Sequence, residues 1–265
     1  MRQIEVSELA IYPVKSLGQI VVDTVQVGRF GFDLDRRWMV VDSDRHMVTQ
    51  RKKSRMCLIQ PKVSENSLWL QAPDMPDLEV LYLPDSPRRP VTVWEDQCMA
   101  QDCGDEVAEW LSRFLDMKCR LVFFPEDEVR QVDPAYAEPG DRTAFSDGFP
   151  ILLISQASLD DLNRRLATPV SMRRFRPNLV LTGCEAFAED KWKKIRIGGI
   201  TFRLVKPCSR CIVPNIDPDT AEKSAEPNRT LSGFRRHDNK IFFGQNVIAD
   251  SQGKLESGMP VEIIE

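Results

Sequence analysis

The segment Glu5-Val6-Ser7-Glu8-Leu9-Ala10-Ile11-Tyr12-Pro13-Val14 reads as a β-strand, and the fold follows from how often such segments recur. Short runs of the same character occupy residues 20–27, 38–42, 58–63, 68–71, 78–83 and 91–94. Turn formers punctuate them, among them Asp42-Ser43-Asp44 and Ala72-Pro73-Asp74. Many short strands at this spacing predict a barrel or a sandwich.

After residue 100 the pattern changes. Val107, Trp110, Leu111 and Phe114 fall at i, i+3, i+4 and i+7 and predict a helix. Asp105 and Glu106 stand in its first turn, where the helix dipole favours acidic side chains. A strand is expected at 120–124, and then a polar, Pro-rich loop over 125–147, a length that often carries function. An apolar strand at 151–154 precedes a short helix bearing Leu159, Leu162 and Leu166, with Ser158-x-x-Asp161 as its capping arrangement. Further strands are expected at 178–181, 195–197, 201–205, 241–248 and 261–264. The chain is therefore predicted to be mainly β with few helices, in two β-rich units. The division is placed between them at 1–103 and 104–265.

The 265 residues can form one large domain or two small ones with a substantial core. Lys and Arg number 36 against 40 Asp and Glu, a formal charge of −4. This balance argues against bulk binding to nucleic acid or an anionic membrane, which needs a basic surplus. No apolar stretch approaches the ~18 residues of a membrane helix. The first residues lack the basic and apolar regions of a signal peptide, so the chain reads as cytoplasmic. Seven cysteines, an odd number in an unsecreted chain, do not suggest a disulfide framework. His46 and His237 are the only histidines, which leaves little room for imidazole chemistry.

The sharpest local feature is Lys206-Pro207-Cys208-Ser209-Arg210-Cys211. A structural zinc site needs four ligands, and neither a second C-x2-C nor a histidine pair accompanies this one. A thioredoxin-like pair would open a helix, but Ile212-Val213-Pro214 does not continue as one. An iron–sulfur cluster would need four clustered cysteines. Two readings stay open: one thiolate on a metal that already has sulfur donors, with Lys206 and Arg210 favouring the thiolate, or two buried cysteines acting as small hydrophobes.

Arg173-Arg174-Phe175-Arg176-Pro177-Asn178, Asp35-Arg36-Arg37-Trp38 and Tyr12-Pro13-Val14-Lys15-Ser16 place basic groups at strand ends. Separately they read as solvated charges; together they can offer forked donors to a phosphate. Neither a P-loop nor a dinucleotide fingerprint is present. Asp217-Pro218-Asp219 reads as a turn, and Arg51-Lys52-Lys53 and Arg235-Arg236-His237 as solvated faces.

Taken in order, YPVKS (12–16), DRRW (35–38), FSDGFP (145–150) with ISQASLDDLN (154–163), FRPNLVLTGC (175–184), AEDKW (188–192) with IGG (197–199), KPCSRCI (206–212) with DPDT (217–220), and FGQN (243–246) form a specific set. The set resembles MOSC proteins with a MOSC N-terminal β-barrel domain, the family of the mitochondrial amidoxime-reducing component and its bacterial relatives. It covers essentially the whole chain. The resemblance implies a β-barrel MOSC core beside an N-terminal β-barrel-like domain, and a molybdenum cofactor (Mo-molybdopterin) between them.

By that resemblance Cys211 is the thiolate on molybdenum, and Cys208 is not a ligand. Lys15, Ser16, Arg36, Arg176, Asn178, Ser209 and Arg210 match cofactor contacts. Gly148 and Phe149 match positions where only backbone contacts carry over, because their types differ from the mitochondrial proteins. Asn246 stands where those proteins have Tyr, and Cys184 matches a position read as buried structure. The implied activity is two-electron reduction of N-hydroxylated small molecules. A molybdopterin carrier without turnover is the alternative, and a scaffold that has lost the cofactor is a third reading. The ferredoxin-like extension of some bacterial relatives and the mitochondrial membrane anchor have no counterpart in the sequence. Electrons are therefore expected from a separate protein, an iron–sulfur carrier or a flavin reductase, with no nucleic-acid or membrane partner.

Overall fold

The computed structural model describes residues 3–64, 66–82 and 86–265. Its largest sheet has nine strands. The path runs Val261–Ile263, Lys194–Ile197, Ile200–Ser209, Lys240–Ala249, Ile151–Ser155, Leu179–Thr182, Glu5–Ile11 and Ile20–Val22, with Arg236–His237 pairing beside it. The path closes on itself. Val6 N–H donates to the Met259 carbonyl at 2.9 Å and Val261 N–H to the Ile4 carbonyl at 2.8 Å. These bonds, with the bridge between Glu5 and Pro260, join the first strand to the last and remove an open edge. Val6, Leu9, Leu153, Leu179, Ile195, Phe202 and Val247 fill the interior, each buried aliphatic contributing about 1.5–3 kcal/mol.

Ile151–Ser155 and Leu179–Thr182 are parallel and need a crossover, which the helix Gln156–Arg165 supplies. Its cap is Ser155, whose hydroxyl accepts from Ser158 N–H at 3.2 Å, one turn earlier than expected. Ser158 is instead buried, and its hydroxyl donates to Glu189 at 2.8 Å.

The second unit is a four-stranded sheet in the order Trp38–Asp42, Cys119–Phe123, Asp96–Asp102, Arg88–Val93, beside a three-stranded sheet of Gln60–Val63, Ser67–Gln71 and Leu78–Leu81. The helix Asp105–Leu115 lays Val107, Trp110, Leu111 and Phe114 into the cluster containing Trp38, Val40, Leu68 and Leu121. Packing thus groups this helix and the strand after it with the residues before 104, while Glu5–Ile11 belongs to the barrel. The two units therefore interleave in sequence.

Several sequence expectations shift at their ends. The strand expected at 5–14 stops at Ile11, just before Tyr12 and Pro13. The run 20–27 breaks at Asp23 into two strands of different sheets. The strand expected at 58–63 begins at Gln60, after a 3-10 turn over Ser54–Leu58. The strand expected at 78–83 is observed as Leu78–Leu81, and Leu83 lies outside the described residues. Asp96–Asp102 was not expected; its polar sequence hides an alternation that buries only Cys98, Ala100 and the residues after it. The strand expected at 201–205 extends over Ile200–Ser209, so Cys208 lies in the strand itself.

Candidate functional site

Several chain segments converge where the N-terminal unit meets the barrel. Backbone bonds fix them. Lys15 N–H donates to the Trp38 carbonyl at 2.8 Å, Arg36 N–H to Tyr12 at 2.9 Å and Phe145 N–H to Arg36 at 2.9 Å. Asn178 N–H donates to Leu152 at 2.8 Å, and Arg210 N–H to Ile241 at 2.7 Å. Ser16, Arg36 and Arg176 have φ of 70°, 49° and 58°. The left-handed region costs a non-glycine residue about 1–3 kcal/mol, so the surrounding bonds must impose it. Gly244 in FGQN, at φ 82°, has a different need: a Cβ there would lie 2.8 Å from the Leu153 carbonyl oxygen.

The segments enclose a cavity of about 270 Å³. Lys15, Ser16, Arg36, Gly148, Phe149, Arg176, Asn178, Ser209, Arg210 and Cys211 all line it. Cys208, Lys206 and Asn246 line it too, so neither cysteine of the C-x2-C is a fully buried hydrophobe. Sequence reasoning missed Gln50, Arg51 and Asp147 as wall residues. Lys52 is solvated as expected, while Arg51, still 36% exposed, stacks its guanidinium 4.3 Å over the Trp94 ring. Arg235 likewise pairs with Asp190 at 2.6 Å and covers Phe187. A run of basic letters gives no signal of such stacking. Asp217 forms the expected turn, its carboxylate accepting from Asp219 and Thr220 N–H groups. Cys184 is half-buried against the barrel core, which raises its thiol pKa.

The floor is a buried polar network. Asp35, 2% exposed, accepts from Tyr12 N–H at 2.8 Å, Asn178 Nδ2 at 2.9 Å and Arg36 Nη1 at 2.6 Å. Burial pushes its carboxyl pKa up, against the pull of the Arg36 charge and these hydrogen bonds. Two guanidinium groups flank Tyr12, Arg36 at 4.3 Å and Arg176 at 4.2 Å from the ring centroid. Two guanidiniums this close to one centroid must take opposite faces of the ring to avoid overlap. Arg176 Nη1 donates to the Leu17 carbonyl at 2.6 Å, and burial pushes this group down to about 10.

The walls carry charge and sulfur. Lys15, 4% exposed, donates to the Phe145 carbonyl at 2.8 Å and to Asp147. Burial pushes its amine pKa down, and Asp147 opposes that shift. Asp147 also accepts from Trp94 Nε1 at 3.2 Å. Its side chain is 65% exposed, and Lys15, Arg51 and Trp94 hold its carboxyl well below the usual range. Arg210 donates to Cys208 Sγ at 3.1 Å and to the Phe175 carbonyl at 2.8 Å, while Cys211 Sγ accepts from Val213 N–H at 3.5 Å. The two sulfurs therefore have different environments.

Six cations, Lys15, Arg36, Arg51, Arg176, Lys206 and Arg210, line the cavity against one carboxylate, Asp147. Arg176 Nη2 and Arg210 Nε are buried without a hydrogen-bond partner. Buried donors normally find acceptors, so this donor set suits a ligand rich in anionic oxygen. The fold and site define a protein of two β-rich units with a cationic, thiol-bearing cavity at their seam.

The MOSC N-terminal beta barrel domain matches residues 3–118, and the MOSC domain matches residues 140–262. The chain is 34% identical to mitochondrial amidoxime-reducing component 1 of Mus musculus, over 98% of this chain and 82% of that protein. Identity to the protein of the same name is 36% in Danio rerio and 35% in Homo sapiens, covering 97% and 98% of this chain and 83% and 82% of those proteins. The chain belongs to the family of MOSC proteins with a MOSC N-terminal β-barrel domain that includes these amidoxime-reducing components. Among the described residues no helix is long and apolar enough to cross a membrane.

Proposed function

We propose that the protein is a molybdenum-cofactor-dependent reductase of N-hydroxylated compounds, with Cys211 as the protein thiolate on the metal. One observation carries the reading. In a chain about 35% identical to amidoxime-reducing components, the thiol of Cys211 and six cationic side chains line one cavity. Among the described residues no group of three or more His, Cys, Asp or Glu is placed to hold a metal ion. A metal at Cys211 must then arrive with other donors, as it does in a pterin dithiolene. The cofactor, when bound, supplies the two-electron redox chemistry that removes an N–O oxygen as water.

The chain's own residues bind and orient. Arg176 Nη2 and Arg210 Nε give buried, unsatisfied donors to the anionic group. Arg36 is held in place by Asp35 and Asn178. Lys15 pairs with Asp147 and faces the same space. Ser16, Gly148, Phe149 and Ser209 complete the wall. Electrons come from a separate carrier, an iron–sulfur protein or a flavin reductase, and the cytoplasm is the compartment we assign. The test is reduction of benzamidoxime by cofactor-loaded protein with an artificial electron donor, alongside molybdenum and pterin analysis. Stoichiometric cofactor without reduction of any N-hydroxylated compound would make the protein a carrier instead.

A further inference from the structure

Lys206 and Arg51 are the cavity cations that the cofactor reading leaves unassigned, and only Arg51 has a carboxylate partner. The Lys206 ammonium lies 3.9 Å from the Tyr136 ring centroid and 5.6 Å from that of Phe149. The two rings meet edge to face with centroids 6.0 Å apart. The other cavity cations have oxygen or sulfur partners: Lys15 and Arg51 at Asp147, Arg36 at Asp35, Arg176 at Leu17, Arg210 at Phe175 and Cys208. Among the described residues the Lys206 ammonium has none. A ring face attracts an ammonium less strongly than a charge-assisted hydrogen bond to a carboxylate does. It also leaves the N–H donors that point away from the ring free for an anion.

The position matters as much as the charge. Asp35 and Asn178 are 2% and 1% exposed at the floor, whereas Tyr136 is 38% exposed. The strand bearing Lys206 shifts register between Leu204 and Lys206, an irregularity of the kind that re-aims a side chain. Lys206 and Phe149 line the same cavity as Cys211, and the Tyr136 ring beneath the ammonium reaches solvent. The rings offer an apolar wall to a flat group and the ammonium offers a charge at its edge.

We infer that Lys206, backed by Tyr136 and Phe149, is a substrate-recognition site for the anionic group of a planar N-hydroxylated compound. The inference rests on the reductase reading above and adds a charge preference to it. The probes are benzamidoxime and 4-carboxybenzamidoxime, which share the ring and the N–O group and differ in one carboxylate. Both are given to the cofactor-loaded full chain, to Lys206→Met and to Lys206→Arg, and kcat/KM and calorimetric binding are measured. Wild type favours the carboxylate. That preference falls about ten- to hundredfold in Lys206→Met, chiefly through KM, and recovers in Lys206→Arg. Pterin and molybdenum content stay level across the three proteins. No preference in wild type, or the same preference in Lys206→Met, overturns the inference. So does a pterin content that drops in step, because Lys206 would then hold the cofactor. A calorimetric preference that Lys206→Met loses supports the inference even when neither compound is reduced, and that result counts against the reductase reading alone.

Discussion

The Arg36 guanidinium donates to the side-chain oxygen of Asn178 at 2.8 Å, across 142 residues of sequence. The Asn178 amide has no capacity left. Its nitrogen donates to the Ala10 carbonyl and to Asp35, and its oxygen also accepts from Leu152 N–H. The sequence assigns Asn178 to the ligand, but its side chain serves the protein first. It fixes Arg36 and joins the first barrel strand to the turn before Trp38.

Asn178→Ala should therefore lose stability as well as ligand. It leaves Asp35 and Arg36 short of partners in a site that is 1% exposed. Each buried group left unsatisfied costs about 1–3 kcal/mol. Urea unfolding should show a loss of at least ~2 kcal/mol, and a loss within error would mean that water replaces the amide.

Cys211→Ser should remove activity and molybdenum retention, while Cys208→Ser keeps the metal. A thiolate suits a soft, sulfur-bound metal better than a hydroxyl does. Cys208 instead receives an Arg210 N–H at 3.1 Å, so its loss frees one anchor of that arginine. Metal content by mass spectrometry decides. Equal loss in both folded variants would point to a dithiol redox pair.

Arg176→Ala and Lys15→Ala should lower pterin content more than unfolding midpoint. Each removes a charge-assisted contact worth about 1.5–3 kcal/mol. The effect should be larger for Arg176, whose Nη2 is buried and unpartnered. Unchanged pterin in both purified proteins would refute the cationic pocket as the cofactor's place.

Acid should weaken the contact between Lys15 and Asp147 in a defined direction. In the folded protein Lys15, Arg51 and Trp94 hold the Asp147 carboxyl below its ordinary value. A depressed carboxyl contributes stability that is present above the unfolded pKa and lost as pH falls through the folded one. The stability of wild type over Asp147→Asn should thus be constant above about pH 5 and shrink on further acidification. Paired unfolding curves between neutral and acidic pH measure it, and a gap that widens in acid would reverse the assignment.

Nicotinamide alone should not drive the purified protein. The sequence shows no dinucleotide fingerprint to receive a hydride donor. Turnover should begin on adding a reductase with an iron–sulfur or other one-electron carrier, in a weak encounter that buries little surface. Full activity with NADH or NADPH and no partner would reveal a missed cofactor site.

The strand-rich character, the helix Asp105–Leu115 and the ordered motif set are legible in the residues alone. Period and turn chemistry are local, so they survive in a string of letters. The helix shows this: its four expected apolar positions are all buried. Tertiary structure decided which basic residues are solvated and which face a ligand. Arg51 reads as a solvated charge and Lys206 as a neighbour of the cysteines until Trp94, Tyr136 and Phe149 come beside them from distant segments. It also decided that Glu5–Ile11 closes the barrel against Met259 and Val261, and that the helix after residue 104 packs with the residues before it. Burial, charge pairing and closure depend on which faces meet in space, and no spacing within one segment encodes a partner more than a hundred residues away.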